Sequence, residues 1–344
     1  MSRRHPFLLL VLARMRELMR EPEVVFWVFV FPILLAVGLG VAFRNKPPDE
    51  IAVGVVAAAG SDRVVSALPP AGGFRVVTIS ADEAADRLRL GKVALVVVPG
   101  LSYEYRYDPT RPDSVLARLK VHDALERAAG RADPVEVHET LVTEPGARYI
   151  DFLIPGLLGM NIMSGGMWGV GFLLVDMRSR RLLKRLVATP MRRADFLGAI
   201  MTSRMILVFA EMALLLFFGW LVFHLVIQGS LWTITLLAVL GAFVFSGLGL
   251  LVACRTAKIE TASGLMNLVM LPMFVCSGIF FSPDRFPAAV QPLVKALPLT
   301  ALNDALRATI LEGATLPSQS GRILLMLAWG LVSFAVALKI FRWT

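Results

Sequence analysis

The chain has 344 residues, 56% of them hydrophobic and only 18% charged, and its mean hydropathy is +0.69; soluble domains carry about 25% charged residues. The apolar residues gather into long runs, and the two cysteines, Cys254 and Cys276, sit in or beside those runs, which excludes a cytosolic globular enzyme, a disordered tail and a disulfide-stapled secreted domain. The formal charge of +9 does not point to nucleic acid: residues 44–148 hold 14 basic and 15 acidic side chains, so the excess lies beside the apolar runs. Anionic lipid headgroups and topology explain it there, and no basic patch interleaved with aromatics stands anywhere in the chain.

The sequence therefore reads as an α-helical integral membrane protein with six transmembrane helices and a small α/β domain inserted between the first and second. Residues 1–23 open it with an amphipathic helix. Leu8, Val11, Leu12, Met15, Leu18 and Met19 form one stripe, and Arg14, Arg16, Glu17 and Arg20 cover the other face, the pattern of a helix lying in the membrane interface among lipid headgroups. Anchoring and partner binding rest on the same physics here. Spans of about 20 apolar residues, enough to cross about 30 Å of hydrocarbon, are predicted at 24–43, 150–175, 199–223, 231–253, 262–281 and 322–340. The first exceeds a signal-peptide core and is read as a retained span.

Lysines and arginines set the orientation. Seventeen lie on the side of the N-terminus and the 176–198 loop, Arg204 among them, and four (Arg285, Lys295, Arg307 and Arg322) lie in the opposite short connections. The expectation is a multi-pass protein with both termini cytoplasmic and residues 44–148 outside.

Within that insert, IAVGVV, FRVVTI and KVALVVVP are β-branched runs suited to strands. Helices are predicted at 61–68, at 80–91 with Ser80 as N-cap, Glu83 three residues on and Gly91 as the stop, and at 115–129. An alternating strand, VEVHETLV, closes a βαβ-type arrangement. Catalytic signals are fragments. His138–Glu139 lacks the second histidine of a zinc motif because position 142 is Val; Gly100–Glu104 lacks the second glycine of a nucleophile elbow; Gly91–Lys92 is followed by Val93 and has no P-loop spacing. No catalytic residue and no metal ligand is assigned, and a packing or substrate-contacting domain is the preferred reading.

The 176–198 loop between the second and third spans carries a short amphipathic helix, with Leu182, Leu183, Leu186 and Val187 among basic residues, broken by Thr189–Pro190. A compact basic helix of this kind is a shape that a soluble partner can grip. The stretch Lys184–Arg185–Leu186, Thr189–Pro190–Met191 and Phe196–Leu197–Gly198 resembles the signature of ABC-2-type exporter permeases. The segment after the fifth span is similar to the same family, in Gly278 and Phe281, Phe286–Pro287, Pro298–Leu299–Thr300, Asp304, Arg307 and Gly313. With the insert after the first span, the likeness covers nearly the whole chain and is nearest to the type V exporters.

The resemblance implies that the chain forms the substrate pathway as a dimer, with a second permease copy or a paralogue, in the bacterial inner membrane. ABC ATPase subunits would dock on the coupling residues Arg180, Arg181, Leu183, Lys184, Arg185, Leu186, Thr189, Pro190, Arg192 and Arg193. It also implies that residues 282–315, with Pro287, Pro298, Asp304 and Arg307, form outer re-entrant helices, and that ATP and Mg belong to the partner ATPase, with no cofactor in this chain.

Polar residues inside spans are costly and must face protein, water or a partner. Glu211, Asn161 and Asn267 are the candidate pathway residues; an interhelical hydrogen bond that locks the bundle is the rival reading, and Ser164 and Ser263 face the same choice. Gly156, Gly159, Gly165, Gly166 and Gly169 favour close helix packing, while Pro32, Pro155 and Pro272 are candidate kinks. Two other functions compete: a membrane-anchored sensor or assembly protein whose outer domain binds an external ligand without transport, and a membrane-embedded enzyme, which lacks any clustered nucleophile, base or metal ligands.

Overall fold

The computed structural model describes residues 6–43, 50–100, 102–132, 138, 148–182, 193–256 and 258–340. Its chain divides into two compact units, one of residues 1–44 with 143–344 and one of residues 45–142.

Among the described residues, six helices are long and apolar enough to cross a membrane: Pro22–Ala42, Tyr149–Ser179, Gly198–Phe223, Leu231–Ala253, Ile259–Cys276 and Pro317–Ile340, here spans one to six. Spans two and four form the centre, with 67% of their apolar windows buried against 11% for span one and 22% for spans five and six. Their closeness rests on glycine. A Cβ on Gly171 would lie 2.5 Å from the carbonyl oxygen of Gly249, so the two backbones touch where larger side chains would hold them apart. Around this pair the large buried side chains Leu153, Ile154, Leu157, Leu158, Ile162, Met163 and Phe245 make the core.

Proline and glycine shape the spans locally. Span one carries a π-helical turn at Phe26–Val30 just before Pro32, and span two carries another at Met167–Phe172, a glycine-rich stretch. Such wide turns relieve a ladder that proline or close packing disturbs. Span five differs from the expected 262–281: its helix runs from Ile259 to Cys276. Gly278 adopts φ +73°, and the chain turns away although Ile279, Phe280 and Phe281 stay apolar. Hydropathy continues past a helix end that backbone geometry imposes.

The N-terminal helix spans Pro6–Arg20 and packs against the N-terminal part of span three's helix, which begins at Arg193. Its packed face differs from the expected stripe. Val11 is buried and Phe7, Leu10, Arg14, Met15 and Leu18 are half-buried, whereas Leu8, Leu12 and Met19 are exposed. Arg14 therefore belongs to the packed side, where it pairs with Glu17 at 2.6 Å; Arg16 and Arg20 are exposed.

The second unit is a four-stranded sheet of order β2-β1-β3-β4, with β1 Ile51–Val56, β2 Phe74–Ile79, β3 Leu95–Val98 and β4 Glu104–Arg106. The first three strands are parallel, as the predicted βαβ order requires, and β4 pairs antiparallel to β3. Alternation sends Val53, Val55, Leu95 and Val97 to one face, under helices Ser61–Ala67 and Pro112–Ala128. Val56, Ile79 and Val96 go to the other, under helix Ala81–Arg89. The Ser80 hydroxyl accepts from the Glu83 backbone N–H at 3.2 Å, and Gly91 turns at φ +69°. The expected closing strand at 135–142 lies outside the described residues except His138, and β4 is a strand beyond those the sequence predicts.

Candidate functional site

Among the described residues, three clusters of polar side chains stand out in the membrane unit, and each holds some of the residues singled out from the sequence.

The first lies where spans two and three approach the 176–198 loop. Each span belongs to a helix of 31 residues, Tyr149–Ser179 and Arg193–Phe223. At 1.5 Å per residue that is about 46 Å, against about 30 Å of hydrocarbon. Each helix is therefore longer than the apolar layer is thick. At the end of span two, Arg180 Nε donates to Asp176 at 2.9 Å, and Arg181 turns the chain at φ +57°. Arg178 reaches across to the end of span four, donating to the carbonyls of Ala253 at 2.9 Å and Thr256 at 3.0 Å. These carbonyls lie at a helix C-terminus, where no intrahelical N–H answers them and a cation is favoured. Leu183, Lys184, Arg185, Leu186, Thr189, Pro190 and Arg192 lie outside the described residues, as does the side chain of Arg193.

The second cluster is a buried ion pair. Arg204 and Glu211 stand seven residues apart on span three, two turns along one face. Arg204 Nη1 donates to Glu211 Oε1 at 2.8 Å and Nη2 to Oε2 at 3.1 Å, with Nη2 also reaching the carbonyl of Asn161 on span two at 3.2 Å. Both side chains are buried, at 4% and 2% exposure. A Cβ on Gly165 would collide with the Arg204 guanidinium, so that glycine is the seat of the charge. Arg204, which a positive-inside count places among the flank charges, is instead a member of the bundle interior. Its signal in the sequence is an i, i+7 pair of opposite sign. The structure thus joins Glu211 and Asn161 through Arg204. Asn267 stands apart, exposed on span five.

The third cluster follows span five. A 3₁₀ turn at Pro283–Arg285 and a short helix at Gln291–Lys295 lead to the helix Pro298–Glu312, whose residues from Pro298 to Asn303 are all buried. Asn303 Nδ2 donates to the carbonyl of Ser277 at 2.7 Å, and Arg307 donates to the carbonyl of Gly278 at 2.8 Å and to Asp304 at 3.3 Å. The guanidinium of Arg307 lies 3.7 Å from the centre of the Phe152 ring. Burial pushes Asp304 up from the usual carboxylate range and Arg307 down to about 10. Pro298 starts the helix at its first turn, where its missing N–H costs nothing. Pro287 lies exposed before the short helix.

Six apolar helices around a glycine-tight centre, with the charges of the described spans held in a buried pair or near the helix ends, define a multi-pass membrane protein. The family model "ABC-2 family transporter protein" matches residues 22–339, and the chain belongs to that family of transporter membrane subunits. It is also similar to ABC transporter G family member 20 of Dictyostelium discoideum, 25% identical over 195 residues. That match covers 56% of this chain and 27% of the relative, so the aligned region spans about a quarter of that protein's length.

Proposed function

We propose that the chain is the permease subunit of an ATP-driven exporter. It forms the substrate pathway with a second copy or a paralogue, and separate ABC ATPase subunits dock on the 176–198 loop. Both termini and that loop face the cytoplasm of a bacterium, and the 45–142 unit stands outside its inner membrane. ATP and Mg act on the partner ATPase.

What supports this reading is the pair of 31-residue helices that flank the basic loop, each longer than the apolar layer is thick, within a chain whose family supplies membrane subunits of ABC transporters. Closure of the ATPases pushes the loop, and the rigid continuation of both helices carries the push inward. The buried Arg204–Glu211 pair and its bond to Asn161 tie the two helices together on that path. The bond from Arg178 extends the tie to span four.

The test is co-purification with the cognate ATPase in gentle detergent. Glutamate in place of Arg181, Lys184 and Arg185 is expected to reduce ATPase retention at least tenfold while membrane insertion is unchanged. Equal retention by the variant would remove the loop from the docking surface.

A further inference from the structure

A cavity of 330 Å³ opens beside the third cluster. Its charged lining is balanced: Lys295, Arg307 and Arg322 supply three cations, and Asp284, Asp304 and Glu312 three carboxylates. Arg307 and Asp304 already engage one another, and the Nε of Arg307 is buried without a hydrogen-bond partner. Lys295 and Glu312 make no salt bridge or side-chain hydrogen bond among the described residues.

The position of this cavity follows from the helix ends around it. Phe152 lies one turn inside the start of span two, and Arg322 lies near the start of span six. Span five has just ended at Cys276, and Tyr149 hydrogen-bonds the Phe280 carbonyl at 3.2 Å. All three ends lie on one face of the bundle, so the cavity opens toward the end of the apolar spans. Its neighbours on the chain are apolar and open: Leu293 is 69% exposed, and Val290 and Phe281 are exposed as well. The indole N–H of Trp329 in span six holds the short helix down by donating to the Ala296 carbonyl at 2.9 Å.

A charged recess flanked by exposed apolar side chains suits a ligand with a charged head and a greasy tail. The balanced signs select the head. A lone phosphate would meet three carboxylates, and a lone ammonium three cations, whereas a headgroup with both charges satisfies both sets. We propose that this cavity binds the phosphate–ammonium headgroup of a phosphatidylethanolamine, its phosphate toward Lys295 and Arg322 and its ammonium toward Glu312 and Asp284. The primary ammonium donates hydrogen bonds to the carboxylates, which a quaternary choline cannot. The assignment concerns lipid alone and stands or falls without any ATPase.

The test uses the full chain reconstituted with equal amounts of phosphatidylethanolamine, phosphatidylglycerol and phosphatidylcholine of identical acyl chains. Native mass spectrometry then counts the lipids retained on release. Phosphatidylethanolamine is expected to be retained at least fivefold over the other two, and the double variant Lys295→Ala/Glu312→Ala is expected to lose that preference. Lys295→Arg is expected to keep it. Both varied positions are exposed, and a matching size-exclusion profile checks the fold of each variant. Equal retention of the three lipids, or a preference unchanged in the double variant, overturns the proposal. A soluble arm separates the sources: if free phosphoethanolamine raises the melting temperature of the delipidated chain as much as the lipid does, the ligand is a water-soluble zwitterion and the lipid assignment is wrong.

Discussion

Replacing Glu211 with leucine tests the buried pair directly. The substitution leaves the Arg204 guanidinium enclosed at 4% exposure with the Asn161 carbonyl at 3.2 Å in place of a two-pronged carboxylate. A guanidinium cannot shed its proton to escape. Two magnitudes compete: removing one partner of a buried ion pair costs about 3–5 kcal/mol, while polar contacts inside membrane proteins average about 0.6 kcal/mol. The larger applies here, because the smaller describes neutral groups that find new partners, and Arg204 is fixed over Gly165 with span two closing the space. The expected cost of about 3 kcal/mol is a hundredfold in the unfolding constant. Unfolding by titration with a denaturing detergent in mixed micelles reads it. Arg204→Leu is expected to be damaging too, since it strands the carboxylate, but the double leucine variant should lose less than either single change. If the two single effects simply add in the double variant, the charges do not act as a pair and the account of this clamp is wrong.

Three other outcomes are expected. Gly171→Val forces span two off span four, because even a Cβ would lie 2.5 Å from the Gly249 carbonyl; overpacking of this kind costs about 1–3 kcal/mol, read as a lower melting temperature of the purified chain. Arg178→Gln withdraws the cation from the carbonyls of Ala253 and Thr256 and should speed hydrogen exchange in the last turn of span four, leaving the span's centre unchanged. Ser80→Ala removes the cap on helix Ala81–Arg89; a loss of about 1 kcal/mol should appear as faster proteolysis within 81–91 than in the wild-type chain.

The sequence carried the spans because hydropathy over 20 residues is a strong signal, and the parallel strands and their helices because β-branched runs and the Ser80–Glu83 cap are local. It did not carry β4, whose three residues Glu104, Tyr105 and Arg106 are charged at both ends and show no apolar alternation. It misread the packed face of the first helix for a deeper reason. In water an apolar stripe marks the buried side, but beside lipid Leu8, Leu12 and Met19 stay apolar while exposed, so periodicity alone cannot tell neighbour from solvent. Arg204 and Glu211 were each visible, yet a positive-inside count treats every arginine as a surface charge. Much of the expected docking loop, from Leu183 to Arg192, falls outside the described residues, and its role rests on the tests above.

The wide turn at Met167–Phe172 has a consequence for how length is reckoned along span two. One surplus residue is absorbed there, and every side chain downstream is swung by about 100° relative to an unbroken α-helix. Trimming the surplus amino acid would leave a smooth, membrane-length rod with Arg178 aimed at the same neighbours, whereas winding the full-length stretch into an unbroken α-helix would turn it away from them. Chains with the same hydrophobic profile and the same residue count but no wide turn at this point would insert normally and still lose the bonds of Arg178 to the end of span four.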